Sequence, residues 1–287
     1  MRLDIAALSK QGGRSRNEDA CGYWTSERSC CWVVSDGAGG HGGGDVASRT
    51  VVSTVLKAFS ADPEVSVDTL AGLVGQAQQA LRDQQGTSQQ LRDMRATVAI
   101  LMIDRLRDSA LWGHVGDTRI YCFRGGRIVM KTRDHSVIQS MYEAGLGDIA
   151  SLRNHPYRGV LLSALGGKEA FETSVAQAPL ALQDGDVILM CTDGMWDHVE
   201  DSAMEGLLRS SRTGEDWLMA MEAELLRTAN SNCDNYTAMS VWVRGTAQPD
   251  LSPQDGETTV VEPAGMMHGL GEETVLRNAP DSTSGGA

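Results

Sequence analysis

The feature that most constrains this sequence is the junction at Asp36, where a short apolar run meets a glycine-rich segment. The run Trp32–Val34 is aromatic and β-branched, which predicts a buried strand. Six glycines between Gly37 and Gly44 let the backbone turn sharply and approach a bound group. After Asp45, which we expect to cap it, apolar residues at helical spacing predict a helix. The pattern indicates a carboxylate facing a cleft, although Asp-Gly after a strand is also the commonest signal of a hairpin turn.

Charge and cysteine usage narrow the function classes. The chain of 287 residues has a formal net charge of −13 and no basic patch, which excludes nucleic acid as the expected partner and favours an acidic site. The first residues lack an apolar signal core, and no apolar run approaches the roughly 18 residues of a membrane span. The six cysteines form no Cys-x-x-Cys pair. We therefore expect a cytoplasmic protein with reduced cysteines and no membrane partner.

Periodicity predicts strands and helices in blocks rather than regular βαβ units. Strands are expected near residues 3–8, 20–24, 32–34, 97–103, 110–115, 120–123, 128–130, 186–191 and 237–243. Helix pairs are expected after the third and after the eighth of these strands, and Asp134–Gly159 is interpreted as loop-rich. The last helix is expected to bury Trp217, Leu218, Met221, Leu225 and Leu226. Such blocks predict an α+β fold in which helices cover antiparallel sheets.

The composition changes after Val243. Residues 245–287 are rich in Gly, Pro, Ser and Thr, and they carry seven acids against the single basic residue Arg277. Such a segment buries too little apolar surface to offset the entropy of ordering it. We expect a folded domain over residues 1–244 and a disordered acidic tail over 245–287.

Acidic residues stand at the ends of several predicted strands. The five sites are Asn17-Glu18-Asp19, Asp36, Asp117, Asp193 and Asp234-Asn235. One such acid is usually a turn residue, but five that gathered in space would repel unless cations neutralised them. Oxygen ligands without a His or Cys pattern favour Mg²⁺ or Mn²⁺ over Zn²⁺. Two such ions suit in-line attack of water on phosphorus.

An arginine close to these acids supplies the complementary charge. A guanidinium matches the oxygens of a phosphate, and Arg14 and Arg16 both satisfy this chemistry. A surface ion pair is the alternative interpretation.

Taken together, the motifs resemble a known family. They are Arg14-x-x-Asn17-Glu18-Asp19, Asp36-Gly37-x-Gly39-Gly40-His41, Gly116-Asp117-Thr118-Arg119, Asp134-His135-Ser136, Leu165-Gly166, Thr192-Asp193-Gly194 and Asp234-Asn235-x-Thr237. In this order they resemble the metal-dependent Ser/Thr protein phosphatases of the PPM, or type-2C, family, in its bacterial single-domain form. The likeness spans about residues 5–243.

The resemblance implies a four-layer αββα fold: a central antiparallel β-sandwich with a helix pair on each outer face. It also implies two Mn²⁺ or Mg²⁺ ions and a third ion found in bacterial relatives. By this resemblance, Asp36 would bridge two ions, and the Gly37 carbonyl, Asp193 and Asp234 would be further ligands of the pair. Glu18 and Asp19 would hold waters bound to the ions. Asp117 and Asp193 would bind the third ion. Arg14 would grip the substrate phosphate, and residues 137–157 would form the flap that shapes substrate access.

The activity implied is hydrolysis of phosphoserine and phosphothreonine in proteins by a metal-activated water, opposing a bacterial Ser/Thr kinase. Where some members have a His two residues after the bridging Asp, this chain has Ala38. His41 or a metal-held water is then the candidate general acid. A catalytically inactive binding module and an unrelated Ca²⁺-binding β-sandwich remain the alternatives.

The tail contains a loose repeat, Glu257-Thr258-Thr259 and Glu272-Glu273-Thr274, each followed by aliphatic residues. Phosphothreonine there is a candidate ligand for a forkhead-associated domain. A solvated linker with chance similarity is the alternative.

Overall fold

The computed structural model describes residues 1–39, 43–148, 155–167, 172–245, 257–261 and 266–267. Its strands are β1 Arg2–Lys10, β2 Asp19–Thr25, β3 Ser29–Ala38, β4 Arg95–Ala96, β5 Val98–Asp104, β6 Ser109–Val115, β7 Arg119–Arg124, β8 Arg127–Lys131, β9 Ser174–Val175, β10 Leu180–Ala181, β11 Val187–Cys191, β12 Tyr236–Arg244, β13 Glu257–Val261 and β14 Met266–Met267. Its helices are α1 Gly44–Ala61, α2 Val67–Gln85, α3 Val137–Glu143, α4 Asp193–Trp196, α5 Asp201–Ser210 and α6 Gly214–Thr228.

The strands form two antiparallel sheets. The six-stranded sheet has the order β14-β1-β12-β11-β7-β8. The eight-stranded sheet has the order β10-β6-β5-β3-β2-β13, with β4 added to β3 and β9 added to β6. The consecutive strands β1 and β2 therefore lie in different sheets. Among the described residues, β14 forms the edge beside β1, and β13 forms the edge beside β2.

Three apolar cores separate four layers. Between the sheets, Trp32, Met190 and Val241 are among the buried residues. A second core packs α1 and α2 on the eight-stranded sheet, and a third packs α5 and α6 on the six-stranded sheet. Because each sheet buries one face on the other sheet and one on helices, its strands are apolar on both sides. The expected αββα architecture is confirmed.

The glycine-rich junction is not a hairpin. Strand β3 continues through Asp36 to Ala38, and α1 begins at Gly44 with Gly43 at its N-cap. The prediction that Asp45 caps this helix is wrong, because Asp45 lies inside the first turn. There it forms an ion pair with Arg49, and a carboxylate at this position also complements the helix dipole.

Two local predictions also differ from the structure. The region interpreted as loop-rich contains α3, whose N-terminus is capped by Ser136 Oγ accepting from Gln139 N at 3.2 Å. The other difference concerns α6. Trp217 is fully buried in this helix, whereas Leu226 is 59% exposed. Leu226 lies outside the apolar stripe because one residue in a helix turns the side chain by about 100°.

Two short strands lie within the segment 245–287, for which the composition predicts disorder. Strand β13 pairs with β2, and the two-residue β14 pairs with β1. The run Thr258–Val261 is β-branched, and the outer backbone of β2 offers it hydrogen-bonding groups, so the run adds a strand. The other residues beyond 245, including Thr274, lie outside the described part of the chain.

Two further observations concern the chain as a whole. All six cysteines are free, and five of them are buried. Among the described residues, none of the helices combines the length and the apolar character needed to cross a lipid bilayer.

Candidate functional site

The acidic residues at strand ends meet at one end of the sandwich. Asp19 at the start of β2 stands directly across from Asp36 on β3. Asp117 lies two residues after β6, Asp193 begins α4 two residues after the end of β11, and Asp234 lies two residues before β12. A cavity of about 440 Å³ is lined by Asp117, Asp193 and Asp234 among others. Three of the acidic strand ends therefore face one cavity.

Close backbone packing at this end depends on glycine. A Cβ on Gly37 would collide with the carbonyl oxygen of Gly44, and a Cβ on Gly194 would collide with that of Asn235. The strand that carries Asp36 thus runs against the start of α1, and α4 runs against the entry to β12. Only glycine permits both approaches.

The side chain of Asn235 ties the N-terminal loop to the entry of β12. Its Oδ1 accepts from the backbone N of Glu18 at 2.8 Å. Its Nδ2 donates to the carbonyl oxygens of Gln11 at 2.7 Å and Arg16 at 2.8 Å. One amide therefore satisfies three backbone groups and fixes the loop that carries Arg14 and Glu18.

Asp36 is held through its backbone rather than its carboxylate. Its N–H donates to Thr97 Oγ1 at 2.9 Å, and its carbonyl accepts from Thr97 N at 2.8 Å. Gly37 N donates to the Glu18 carbonyl at 3.1 Å. These bonds set the backbone on both sides of the carboxylate and leave the carboxylate oxygens available.

One carboxylate oxygen of Asp19 accepts a hydrogen bond, and the other has no partner among the described residues. Its Oδ2 accepts from Thr192 Oγ1 at 2.9 Å, while its Oδ1 is buried and has no hydrogen-bond partner among the described residues. A buried carboxylate oxygen without a partner is uncommon and is typical of a site that completes itself with a water or an ion.

Nearby arginines compensate the charge of the acidic cluster only in part. Burial, followed by the charges of Asp19 and Asp193, raises the pKa of Asp36 well above its ordinary value. Burial and the nearby Asp193 raise the pKa of Asp117 in the same way. Loss of hydration, with Asp234 next, raises the pKa of Asp193 to about 6. Such shifts show that several carboxylates share a region where divalent cations would lower the electrostatic free energy.

The donor set fits hard divalent cations in its chemistry. It consists of carboxylate and backbone oxygens, which Mg²⁺ and Mn²⁺ prefer, and it includes the orphan oxygen of Asp19. In the described residues, no three His, Cys, Asp or Glu side chains already converge as a ready-made cage. The fit therefore rests on charge and donor type.

The structure separates the two candidate arginines. Arg14 Nη2 donates to Asp234 Oδ2 at 2.6 Å, and Arg14 lines the larger cavity together with Asp193. Arg16 lines a smaller cavity of about 270 Å³, together with Arg14, Glu18 and Asp234. Arg14 is therefore distinguished by its ion pair with Asp234 and by its place in the larger cavity. His41, the candidate general acid, lies outside the described residues.

Five residues that line the cavity were not among the predicted site residues: His155, Arg158, Gly159, Trp196 and Asp197. His155 lies within the flap expected over residues 137–157. Trp196 Nε1 donates to the carbonyl of Asp117 at 2.9 Å, and the Arg119 guanidinium stacks 3.5 Å from the Trp196 ring centre. Trp196 lies one helical turn after Asp193, and this spacing in the sequence could have identified it as a residue of the site. Arg158 forms an ion pair with Asp197, and nothing in its loop sequence indicates that contact.

Comparison with known proteins places these features in context. The sequence profile of the family described as protein phosphatase 2C matches residues 9–233. The serine/threonine protein phosphatase PstP of Mycobacterium tuberculosis is 30% identical over 87% of this chain and 48% of its own length. The protein phosphatase PhpP of Streptococcus pneumoniae is 25% identical over 83% of this chain and 97% of its own length.

A solved structure shows the same fold. The catalytic domain of PstP, crystallised in complex with two manganese ions, superposes with a TM-score of 0.72 at 24% identity. The superposition covers 85% of this chain and 99% of that one. The chain spans about half the length of the PstP sequences that it matches.

Proposed function

Because this chain belongs to the protein phosphatase 2C family, we propose that it is a metal-dependent phosphatase that removes phosphate from serine and threonine residues of proteins. The observation that carries the proposal is the meeting of strand-end acids with Arg14 around one cavity. A relative matched over nearly its whole length is named a protein phosphatase, which supports the same activity for this domain.

The proposed cofactors are Mn²⁺ or Mg²⁺ ions, two bound as a pair and one in a third site. Asp36, the Gly37 carbonyl, Asp193 and Asp234 would hold the pair, with Glu18 and Asp19 binding waters beside it and Asp117 completing the third site. The ions would activate a water for attack on phosphorus and neutralise charge that develops on the transferring group. The two manganese ions of the PstP catalytic domain support this assignment.

Arg14 is the proposed phosphate-binding residue. Its guanidinium presents parallel N–H donors that suit two phosphate oxygens, and its present partner Asp234 is 42% exposed, so the pair is open to the cavity. On binding, the guanidinium would share its donors between Asp234 and the phosphate. This orients the phosphoryl group beside the carboxylates and favours the charge of its transition state.

Protonation of the leaving serine or threonine oxygen needs a separate donor. We retain His41 as the candidate general acid, with a bound water as the alternative. The pH–rate profile of His41→Ala with a phosphopeptide decides between them. An unchanged profile would assign the proton to water.

The proposed partners are phosphoproteins and the Ser/Thr kinase that modifies them. The tail threonines Thr258 and Thr259 lie on β13, which is paired with β2. A forkhead-associated domain that reads phosphothreonine at this site would have to bind the segment after it has left β2.

The test measures hydrolysis of p-nitrophenyl phosphate and of a phosphothreonine peptide with Mn²⁺, and again after chelation. We expect chelator-sensitive turnover of both substrates, with a loss of at least about 100-fold in Asp36→Asn. Absence of turnover in a folded protein that binds Mn²⁺ would favour an inactive binding module. Binding of Ca²⁺ alone would favour the calcium-binding sandwich.

A further inference from the structure

A segment that returns from the cavity to the core is fastened to helix α2 by two glutamines. Residues 155–167 contain His155 and Arg158 at the cavity and end at Leu165–Gly167 beside α2. Gln78 and Gln85 of α2 point to this end, and together they bind Gly166 and Gly167. We call these two side chains the glutamine clamp.

The clamp makes four hydrogen bonds. Gln78 Oε1 accepts from Gly166 N at 2.6 Å, and Gln78 Nε2 donates to the Gly167 carbonyl at 3.0 Å. Gln85 Nε2 donates both to the Gly166 carbonyl at 2.8 Å and to the Met94 carbonyl at 2.9 Å. Gly166 has a φ of +84°, a conformation that favours glycine. Gln78 therefore binds the backbone turn through both polar atoms of its amide, and Gln85 binds it through one Nε2 that donates to two carbonyls.

The clamped turn is linked by backbone hydrogen bonds to the strand that carries Asp36. Leu165 pairs with Ala96, with Leu165 N to Ala96 O at 2.8 Å and Ala96 N to Leu165 O at 3.2 Å. Ala96 in turn pairs with Gly37 of β3. The Met94 carbonyl bound by Gln85 lies two residues before Ala96, so this glutamine joins both sides of the ladder. Helix α2, the returning segment and β3 are thereby linked in one hydrogen-bonded structure.

The same segment leads directly to the cavity. Seven residues before Leu165, Arg158 pairs with Asp197 and lines the cavity beside Asp193. Between them, Leu161 pairs with Ser136, and the Val160 carbonyl accepts from Val137 N at 3.0 Å. The segment is thus attached at the base of α3, where Leu162 N also donates to the His135 carbonyl at 2.8 Å, at Ala96 through Leu165, and at the clamp. Loosening the clamp would weaken the hold on one end of a segment whose other end carries His155 and Arg158.

We propose that Gln78 and Gln85 are positioning residues that fix the wall of the cavity for phosphoprotein substrates, a role that rests on the proposed function. A peptide chain attached to the phosphorylated residue must lie against this wall, whereas a small aryl phosphate needs only Arg14 and the carboxylate cluster. The clamp therefore acts on recognition of large substrates. The amide side chain is uncharged throughout the working pH range, so the clamp is insensitive to pH.

The helix supplies its own controls. Methionine matches glutamine in length and helix propensity but forms none of these hydrogen bonds. We would compare Gln78→Met, Gln85→Met and the double variant with Gln79→Met and Gln84→Met, whose glutamines are exposed on the same helix.

The kinetic readout separates positioning from general damage. In the clamp variants, kcat/KM for a phosphothreonine peptide should fall about 5- to 10-fold through KM, while p-nitrophenyl phosphate turnover stays within about two-fold. The control variants should match the wild type on both substrates. An equal loss on both substrates, or no loss on the peptide, would overturn the proposal.

A second readout does not depend on activity. Amide hydrogen exchange in peptides that cover 155–167 should become at least about tenfold faster in the double variant and remain unchanged in the controls. Unchanged exchange would overturn the proposal. If the wild type hydrolyses neither substrate, the proposed function fails, and exchange still decides whether the clamp holds this segment.

Discussion

At the scale of single residues, the site is defined by negative charge that the fold concentrates and that nearby arginines neutralise only in part. Asp19, Asp36, Asp117 and Asp193 all have raised pKa values, each with burial as the largest cause. Charges brought together in this way reduce the stability of the folded chain. A ligand that binds only the folded state and carries positive charge should recover that stability.

This reasoning gives a prediction for Mn²⁺. At a concentration about 100-fold above its Kd, Mn²⁺ should raise the stability by about 2.7 kcal/mol, seen as a higher Tm. Asp193→Asn should be about 1 kcal/mol more stable than the wild type without metal, because it relieves repulsion, and should show a smaller rise with Mn²⁺. Thermal unfolding with and without Mn²⁺ measures both effects. A lower stability of the metal-free variant would contradict the role of repulsion.

A second prediction concerns the two arginines of the N-terminal loop. Arg14→Lys removes the planar fork but retains the charge, so kcat/KM for a phosphopeptide should fall about 10- to 100-fold. Arg16→Lys is the matched control and should stay within about threefold. Steady-state kinetics at saturating Mn²⁺ tests the pair. A larger effect at Arg16 would transfer the phosphate-binding role to that residue.

A third prediction follows from a buried histidine. His114 Nε2 lies 2.7 Å from the Arg133 carbonyl, its Nδ1 has no partner among the described residues, and its ring stacks on His135. Burial lowers the pKa of His114 to about 4. Since the unfolded chain titrates near 6.5, it binds the proton first, and stability should fall as pH drops from about 6.5 to about 4.

The expected loss is on the order of 3 kcal/mol, complete near pH 4 and absent above about pH 7. Urea unfolding at several pH values measures it. His114→Gln should flatten the slope of stability against pH within this window, and an unchanged slope would assign the acid sensitivity to other groups.

At the scale of elements, the glycines of α2 have room for a side chain, whereas the glycine at the start of α4 has none. Around Gly72 and Gly75 of α2, a Cβ would have no atom within 4 Å, whereas at Gly194 it would collide with the Asn235 carbonyl. We expect Gly72→Ala and Gly75→Ala each to raise the stability by about 1 kcal/mol and Gly194→Ala to lower it by about 2–3 kcal/mol. Chemical denaturation of the three variants tests the contrast. Equal effects at all three positions would contradict it.

The elements also show how far sequence patterns reach. The long strands and helices are predictable because their apolar residues repeat with a period that burial on a sheet or helix face requires. Helix α3 has no buried residues and therefore carries no such pattern, and β13 depends on the available edge of β2 rather than on its own composition. Leu226 was misplaced because an apolar residue beside a stripe looks like part of it.

The same limit applies to the site. The strand-end acids and Arg14 are predicted from ordered motifs, and the fold brings several of them to one cavity. The resemblance implied a flap over residues 137–157, which includes His155, whereas Arg158 lies beyond it in a segment without periodicity. Gln78 and Gln85 lie four residues after Val74 and Leu81, in phase with the apolar stripe of α2, which distinguishes them from the exposed glutamines beside them.

At the scale of the whole molecule, the C-terminal segment adds an edge strand to each of the two sheets. Strand β13 extends the eight-stranded sheet beyond β2, and β14 extends the six-stranded sheet beyond β1. Gly22 of β2 leaves room for this addition, because a Cβ there would lie 2.8 Å from the Thr259 carbonyl oxygen. The segment therefore shields two edge strands that would otherwise present unpaired backbone groups.

Truncation provides the test of this shielding. A chain ending at Gly245 should show a Tm lower by a few degrees and concentration-dependent association, because β1 and β2 become open edges. A chain ending at Met267 retains β13 and β14 and is the matched control. Calorimetry and light scattering measure the two effects, and identical behaviour of both chains would show that the added strands contribute nothing.

The ion pair between Arg14 and Asp234 joins positions 220 residues apart, and β12, which follows Asp234, lies between β1 and β11 in the middle of its sheet. During synthesis on the ribosome, the first two hundred residues can emerge and collapse while that central position is still vacant. The centre that brings these two residues together can form only when the last long strand has left the exit tunnel and inserted. A nascent chain that ends before the entry to β12 therefore lacks Asp234 and its ion pair with Arg14, and the candidate site can assemble only after β12 has been synthesised.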